Sequence, residues 1–316
     1  MKTLRLPPDA DGLSCAAELL RGGQTVAIPT ETVYGLAADA RNGEAVARIY
    51  EAKGRPSFNP LIVHVPDLAA ARAIAEVPPQ AQVLADIFWP GPLTLVLPLR
   101  ADAGIASLVT AGLTTIGLRV PAHPTAQALL RAFGGPVAAP SANASGRISP
   151  TSADHVLDPE GGLDGRIAAV IDAGPCAVGL ESTIIGWPGG RATLLRPGGI
   201  PAEAIEARLG QPLAQHQGDP SAPNAPGQLS SHYAPKAALR LNAKTPQPHE
   251  THLRFGTPGA FSLSEGGNLT EAAARLFDLL RRADALGRPI AVAPIPEQGL
   301  GAAINDRLRR AAAPRD

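Results

Sequence analysis

The chain has few aromatic rings, few thiols, few lysines and no net charge. Phe, Trp and Tyr make up only 3% of its 316 residues. A surface that stacks single-stranded bases on rings has little to build with. The formal net charge of +0 excludes a chain-wide basic coat for a polyanion and leaves only a local basic pocket. Cys15 and Cys176 are the only cysteines. Two thiols make no disulfide framework, and no Cys/His cluster has zinc-ligand spacing. A reducing compartment fits. No apolar run is long enough to span a bilayer, and Met1 to Asp9 has no apolar signal region. A soluble, cytoplasmic protein without a membrane partner is expected. No Walker A sequence and no complete G-x-G-x-x-G occurs, since Gly299-Leu300-Gly301 lacks the last glycine. No Ser–His–Asp or Cys–His arrangement stands out.

What is present is an ordinary apolar share of 45%, ample for a core of Ala, Leu, Val and Ile. The length suggests about two domains. Short apolar runs at Thr25–Ile28, Leu61–Val65, Leu93–Leu97, Ile116–Val120, Val137–Ala139 and Ala168–Ile171 read as buried strands. Ser182–Trp187 and Arg191–Leu195 flank Pro188-Gly189-Gly190 and read as a hairpin. Helical spacing covers Leu13–Arg21, Ala45–Ala52, Ala69–Ala75, Ala81–Phe88 and Thr125–Phe133, and Thr151 with Asp154 forms a capping pair for another helix. This alternation predicts an α/β domain with a mixed sheet over residues 1–210. Gln211 to Gln228 is rich in Pro, Gln, Gly and Ser and reads as a linker. The linker segment ends at Lys236. Residues 237–316 read as a small C-terminal α/β unit. Its strands are Ala238–Leu241 and Ile290–Ala293. Its helices are Thr270–Leu286, with Thr270 as N-cap, and Ile304–Arg310.

The chemistry concentrates at strand ends, where open α/β sheets bind ligands. Ala138 to Thr151 crowds Ser141, Asn143, Ser145, Arg147 and Ser149 into one turn region. Hydroxyls, an amide and a guanidinium suit an anion such as a phosphate. The same residues also make plain turns. Lys53 and Arg55 are phosphate candidates or a solvated basic turn. Arg196 is either an anion ligand or a strand-end ion pair. Arg119 lies in the apolar run Ile116 to Val120, where an unpaired guanidinium is costly to bury. It suits a carboxylate ligand, or a structural salt bridge to Glu31 or Asp172. His64, alone in an apolar strand, reads by itself as structural. Glu31 and Tyr34 either shape a pocket or pack.

Pro29 to Leu36, Lys53 to His64, Trp89 to Thr94, Gly117 to Pro121, Ala139 to Asn143, Glu181 to Ile184, Leu195 to Gly198 and His232 to Lys236 stand in a fixed order. In these blocks the chain resembles the YrdC-like family of threonylcarbamoyl-AMP synthases, in its longer, two-domain form. The resemblance covers roughly Thr25 to Lys236 and is looser toward the terminus. It implies a twisted mixed sheet with flanking helices, a concave basic cavity and a small Rossmann-like C-terminal domain. It implies condensation of L-threonine, bicarbonate or CO2, and ATP into threonylcarbamoyl-AMP and pyrophosphate. The product would go to a tRNA threonylcarbamoyl-transferase complex, with direct tRNA binding left open. Magnesium is expected on the ATP phosphates, with no ligands identified in the chain.

By the same resemblance, Lys53 and Arg55 act on the phosphates. Arg55, Asn59, Thr115, Ser141, Asn143, Ser149, Arg196 and Tyr233 bind ATP. Thr32, His64, Arg119, Ala139 and Ser182 bind threonine. The linker is expected to act as a lid, with Tyr233 reaching back to the ATP site or merely anchoring the chain. Two rival readings use the same concavity: an RNA- or ribosome-binding module, and a carbamoyl-transfer domain of hydrogenase maturation proteins. Scarce aromatics weaken the first. The lack of zinc-finger cysteines weakens the second.

Overall fold

The computed structural model describes residues 2–215 and 232–314. Its larger sheet holds eleven strands in chain order: β1 (Leu4–Leu6), β2 (Val26–Ile28), β3 (Gly35–Asp39), β4 (Ile62–His64), β5 (Leu93–Pro98), β6 (Thr115–Arg119), β7 (Val137–Ala138), β8 (Ala169–Ile171), β9 (Thr183–Gly186), β10 (Thr193–Arg196) and β11 (Ala214–Gln215). Across the sheet they run β1-β8-β2-β3-β7-β4-β6-β5-β9-β10-β11. The pairing is mixed. β4 and β6 are parallel, while β5 and β6 are antiparallel.

Strand alternation sends neighbouring residues to opposite faces. Val26 and Ile28 pack under α1 (Ala10–Arg21), while Ala27 joins the core on the other face. That second face is covered by α2 (Gly43–Lys53), α3 (Leu68–Ile74), α4 (Pro79–Phe88) and the short α5 (Ser107–Thr110). α6 (Pro124–Phe133) returns to the first face beside α1. Local chemistry sets the helix ends. Asn42 accepts from the Glu44 and Ala45 N–H groups to open α2, and Gly54 ends it at φ 59 in the left-handed region.

The remaining helices of this part are α7 (Ala153–Val156) and α8 (Ala202–Leu209). The cap of α7 is Ser152, which accepts from His155 N, and not the expected Thr151–Asp154 pair. The hydroxyl one residue later is the one adjoining the first helical residue. The expected linker is also cut short at its start, because Ala214–Gln215 pairs in parallel with β10 as an edge strand. From His216 to Ser231 the expected linker lies outside the described residues.

The C-terminal part has a three-stranded parallel sheet, β12 (Leu239–Arg240), β13 (Thr251–Leu253) and β14 (Ile290–Val292), ordered β12-β14-β13. Thr251–Leu253 has no expected counterpart in the sequence. α9 (Leu269–Asp284) and α10 (Leu300–Ala312) pack beside it. Asn268, not Thr270, caps α9, accepting from the Thr270 and Glu271 N–H groups. The core of this part includes Val33, Ile148, Leu180 and Tyr233, residues the sequence assigns elsewhere. The two parts therefore share apolar contacts. Among the described residues no helix is long and apolar enough to cross a membrane.

Candidate active site

A cavity opens where the loops after β2 and β7 and the loop before β9 meet the ends of β4, β6 and β10. The parallel register puts His64 directly opposite Arg119. Both side chains therefore point to one face, at the ends of neighbouring strands. Arg119 is buried, as its apolar surroundings predict, and its donors are well placed. Nε donates to Gly91 O at 3.2 Å, Nη1 to Thr32 Oγ1 at 2.8 Å and Nη2 to Glu31 Oε1 at 2.6 Å. The salt bridge to Glu31 is thus real, while Asp172 pairs with Arg5 instead. Each terminal nitrogen of a guanidinium carries two N–H groups, so one on each remains for an anion. Thr32 is fixed in turn by Thr30, whose hydroxyl lies 2.8 Å away and donates to Val33 O.

His64 is 3% exposed, and its Nδ1 has no partner among the described residues. Burial, reinforced by the Arg119 charge, pushes its pKa down to about 3. It is a neutral imidazole at physiological pH. An unsatisfied ring nitrogen in a cavity wall is a hydrogen-bonding site for a ligand.

The same cavity is lined by Arg55, Ser141, Arg196 and Tyr233. Arg55 donates to Asn59 O and Pro60 O, and burial draws its pKa down to about 10. Arg196 Nη2 donates to Ser182 O at 2.9 Å, and the Ser182 hydroxyl sits 2.7 Å from that of Thr94. Gly198 lets this loop pass close by, because a Cβ there would lie 2.4 Å from Glu181 O. Tyr233 takes the left-handed conformation, φ 61, unusual for a bulky residue. That turn stacks its ring on Phe277 while keeping it in the cavity wall. The tyrosine both anchors the chain and faces the cavity.

Nine of the fourteen residues named from the sequence line this cavity: Thr32, Arg55, His64, Arg119, Ala139, Ser141, Ser182, Arg196 and Tyr233. Five stand outside its lining. Lys53 is buried beneath it, with Nζ donating to Ser141 O at 2.5 Å and Asn143 O at 2.6 Å. Asn143 ties the same turn through Ala144 O and Arg147 O. Ser149 is fully buried and donates to Glu181 Oε1. Asn59 is buried with both side-chain amide atoms unpartnered among the described residues. Thr115 begins β6, four residues from Arg119 at its other end. Tyr34 packs, its hydroxyl donating to Gly174 O.

Sequence reasoning gave no role to Glu181, His232 or Thr30, which also line the cavity. All three lie inside the family-like blocks, so the signal was present without a role. The Glu181 carboxyl is opposed by burial, yet Arg307, Arg196 and the Ser149 hydroxyl hold it below the usual carboxylate range. Burial pushes His232 well down as well, with Arg55 and Lys53 adding to the effect. Among the described residues no group of three His, Cys, Asp or Glu side chains gathers to hold a metal. Glu181, the carboxylate in the cavity lining, is already engaged by Ser149 and Arg307, so these residues do not form a magnesium cage.

A family model for Sua5, YciO and YrdC proteins, described as telomere recombination, matches residues 18–198. A second, described as the threonylcarbamoyl-AMP synthase C-terminal domain, matches residues 200–313. The threonylcarbamoyl-AMP synthase of Bacillus subtilis is 43% identical over 322 residues, covering 94% of this chain and 92% of the relative. That of Pyrococcus abyssi is 40% identical over 323 residues, with the same shares. The crystal structure of P. abyssi Sua5 complexed with L-threonine matches with a TM-score of 0.87 at 37% identity, over 99% of this chain and 98% of that one. The chain belongs to the Sua5/YrdC family of threonylcarbamoyl-AMP synthases and carries that family's C-terminal domain.

Proposed function

We propose that this protein is an L-threonylcarbamoyladenylate synthase. It condenses L-threonine, bicarbonate or CO2, and ATP into threonylcarbamoyl-AMP and pyrophosphate. The support is one cavity whose lining gathers Arg119, Thr32 and His64, a set suited to a carboxylate, with Arg55, Arg196 and Ser141, a set suited to phosphates. Threonine sets its carboxylate on the remaining Arg119 N–H groups, and the neutral His64 reaches its polar side chain or amine. The threonine amine and bicarbonate form an N-carboxylate with loss of water. A carbamate oxygen then attacks the α-phosphorus, and the bond to the β-phosphate oxygen breaks to release pyrophosphate.

The attacking carbamate is already an anion, so no strong base is needed. The task is to neutralise two anions and hold them in line. Arg196 supplies that charge from a buried position and Arg55 from a half-buried one, where electrostatic contacts are stronger than in open water. Magnesium is taken to arrive on the ATP phosphates as part of the substrate, and no step is routed through a protein-held ion. The product, a labile mixed anhydride, is passed to a tRNA threonylcarbamoyl-transferase complex in this reading. Pyrophosphate release from ATP should require threonine and bicarbonate together. Release that ignores threonine would refute the assignment.

A further inference from the structure

Arg307 lies on α10, far along the chain from the cavity, yet it is completely buried. A fully buried guanidinium is costly unless each of its surroundings compensates. Its Nε donates to Glu181 Oε2 at 2.9 Å across 126 residues of sequence. Nη1 donates to Pro197 O at 2.6 Å and to Asp306 Oδ2 at 3.0 Å. The guanidinium carbon stands 5.4 Å from the centre of the Tyr233 ring, within cation–π range. Three of these contacts end on the cavity or its immediate support. Glu181 and Tyr233 line it, and Pro197 follows the lining residue Arg196. The second Glu181 oxygen accepts from Ser149.

We infer that Arg307 is a positioning residue through which the C-terminal domain sets the nucleotide side of the cavity. It rests on the reading of this cavity as the ATP and threonine site. The physical logic is charge balance. Glu181 puts a carboxylate into a cavity that must accept a polyanion. Paired with Arg307, that charge is offset and pinned, with one oxygen holding Ser149 and the other turned toward α10. Without Arg307 an uncompensated buried carboxylate would repel the phosphates and compete for Arg196. Arg119 and His64, the threonine residues, take no hydrogen bond from Arg307 among the described residues, so threonine affinity should respond far less.

The test uses the full chain and the variants Arg307→Met, Arg307→Lys and Arg307→Met combined with Glu181→Gln. ATP and threonine affinities are measured by calorimetry from pH 6 to 8, with thermal melts as the folding control. Arg307→Met should weaken ATP about tenfold, the middle of the range for residues that couple sites without touching ligand. Threonine affinity should change by less than about twofold. Its ATP affinity should improve as pH falls, because burial raises the pKa of a carboxylate without its cation and protonation removes the repulsion. The double variant should recover most of the ATP affinity and lose the pH dependence. Arg307→Lys should fall between wild type and Arg307→Met.

If Arg307→Met is insoluble, wild type against Arg307→Lys and the double variant decides the matter. Unchanged ATP affinity in the soluble variants, equal weakening of both ligands, or no recovery on adding Glu181→Gln overturns the inference. Threonine-dependent pyrophosphate release by the wild type is scored separately. Its absence would sink the functional reading while the ATP affinities still judge Arg307, and a wild type that binds no ATP would sink both.

Discussion

Replacing Lys53 by Met should damage the protein through the turn that Lys53 holds, not through a lost phosphate interaction. The side chain is 3% exposed, and its ammonium donates to Ser141 O and Asn143 O. Methionine keeps the apolar stem and removes only the donors. Each charge-assisted bond is worth about 1.5–3 kcal/mol, and a buried carbonyl left without a donor costs about 1–3 kcal/mol. The two oxygens differ: Ser141 O keeps the Asn143 N–H at 3.1 Å, whereas Asn143 O gives up its ammonium donor. An opposing effect reduces the sum. Burial, with Arg55 nearby, pushes Lys53 well below its ordinary pKa, so the folded state already bears a cost for that charge. The net destabilisation should be about 2–4 kcal/mol.

In a domain of this size that lowers Tm by about 4–16 °C. The turn carries Ser141 into the cavity, so the ATP KM should rise with it, by up to about thirtyfold if 2 kcal/mol is expressed in binding. The threonine KM should hardly move. Urea melts and steady-state kinetics with each substrate varied provide the assay. Arg at this position should not rescue, because a planar fork does not fit between two carbonyls spaced for an ammonium. A raised ATP KM with unchanged stability, rescued by Lys53→Arg, would refute the tether and favour direct phosphate binding.

Arg119→Ala should mainly weaken threonine, by about 1.5–3 kcal/mol for each charge-assisted hydrogen bond removed, with ATP KM little changed; equal weakening toward both substrates would argue against dividing the lining residues between the two substrates. His64 is neutral when folded, with a pKa near 3, so below pH 6.5 the unfolded chain binds a proton that the fold refuses. Folding stability should then drop by about 2 kcal/mol between pH 6.5 and 5 on this account. His64→Gln should shrink that slope in urea melts, and an unaltered slope would sink the assignment. Burial pushes the Cys176 thiol up to about 12, so a thiol reagent should label Cys15 in the folded protein and Cys176 only after denaturation. Serine should be a poorer substrate than threonine, because one methyl in a fitted pocket is worth roughly 1–3 kcal/mol.

Local pattern carried the sequence a long way. Apolar runs such as Leu61–Val65 mark strands because a buried strand must be apolar on both faces, and the structure places β4 there with one residue trimmed at each end. The Ala138 to Thr151 block, Arg119 at a strand end and Arg196 before Pro197-Gly198 were legible as ligand-facing groups. A charged residue in an apolar run needs an anion, and strand ends are where cavities form.

Tertiary structure alone decided the rest. Nothing in the sequence around Lys53 says that its ammonium turns under the Ser141 turn, since that depends on where a loop nearly ninety residues away comes to lie. Arg307 stands beside Arg309 and Arg310 in a helix where any basic side chain could face water. Only the docking of α10 makes it the buried one, 2.9 Å from Glu181. Periodicity and propensity are short-range properties of a chain. Which buried charges meet is set by long-range packing, and that packing joins the C-terminal helix to the cavity of the first domain.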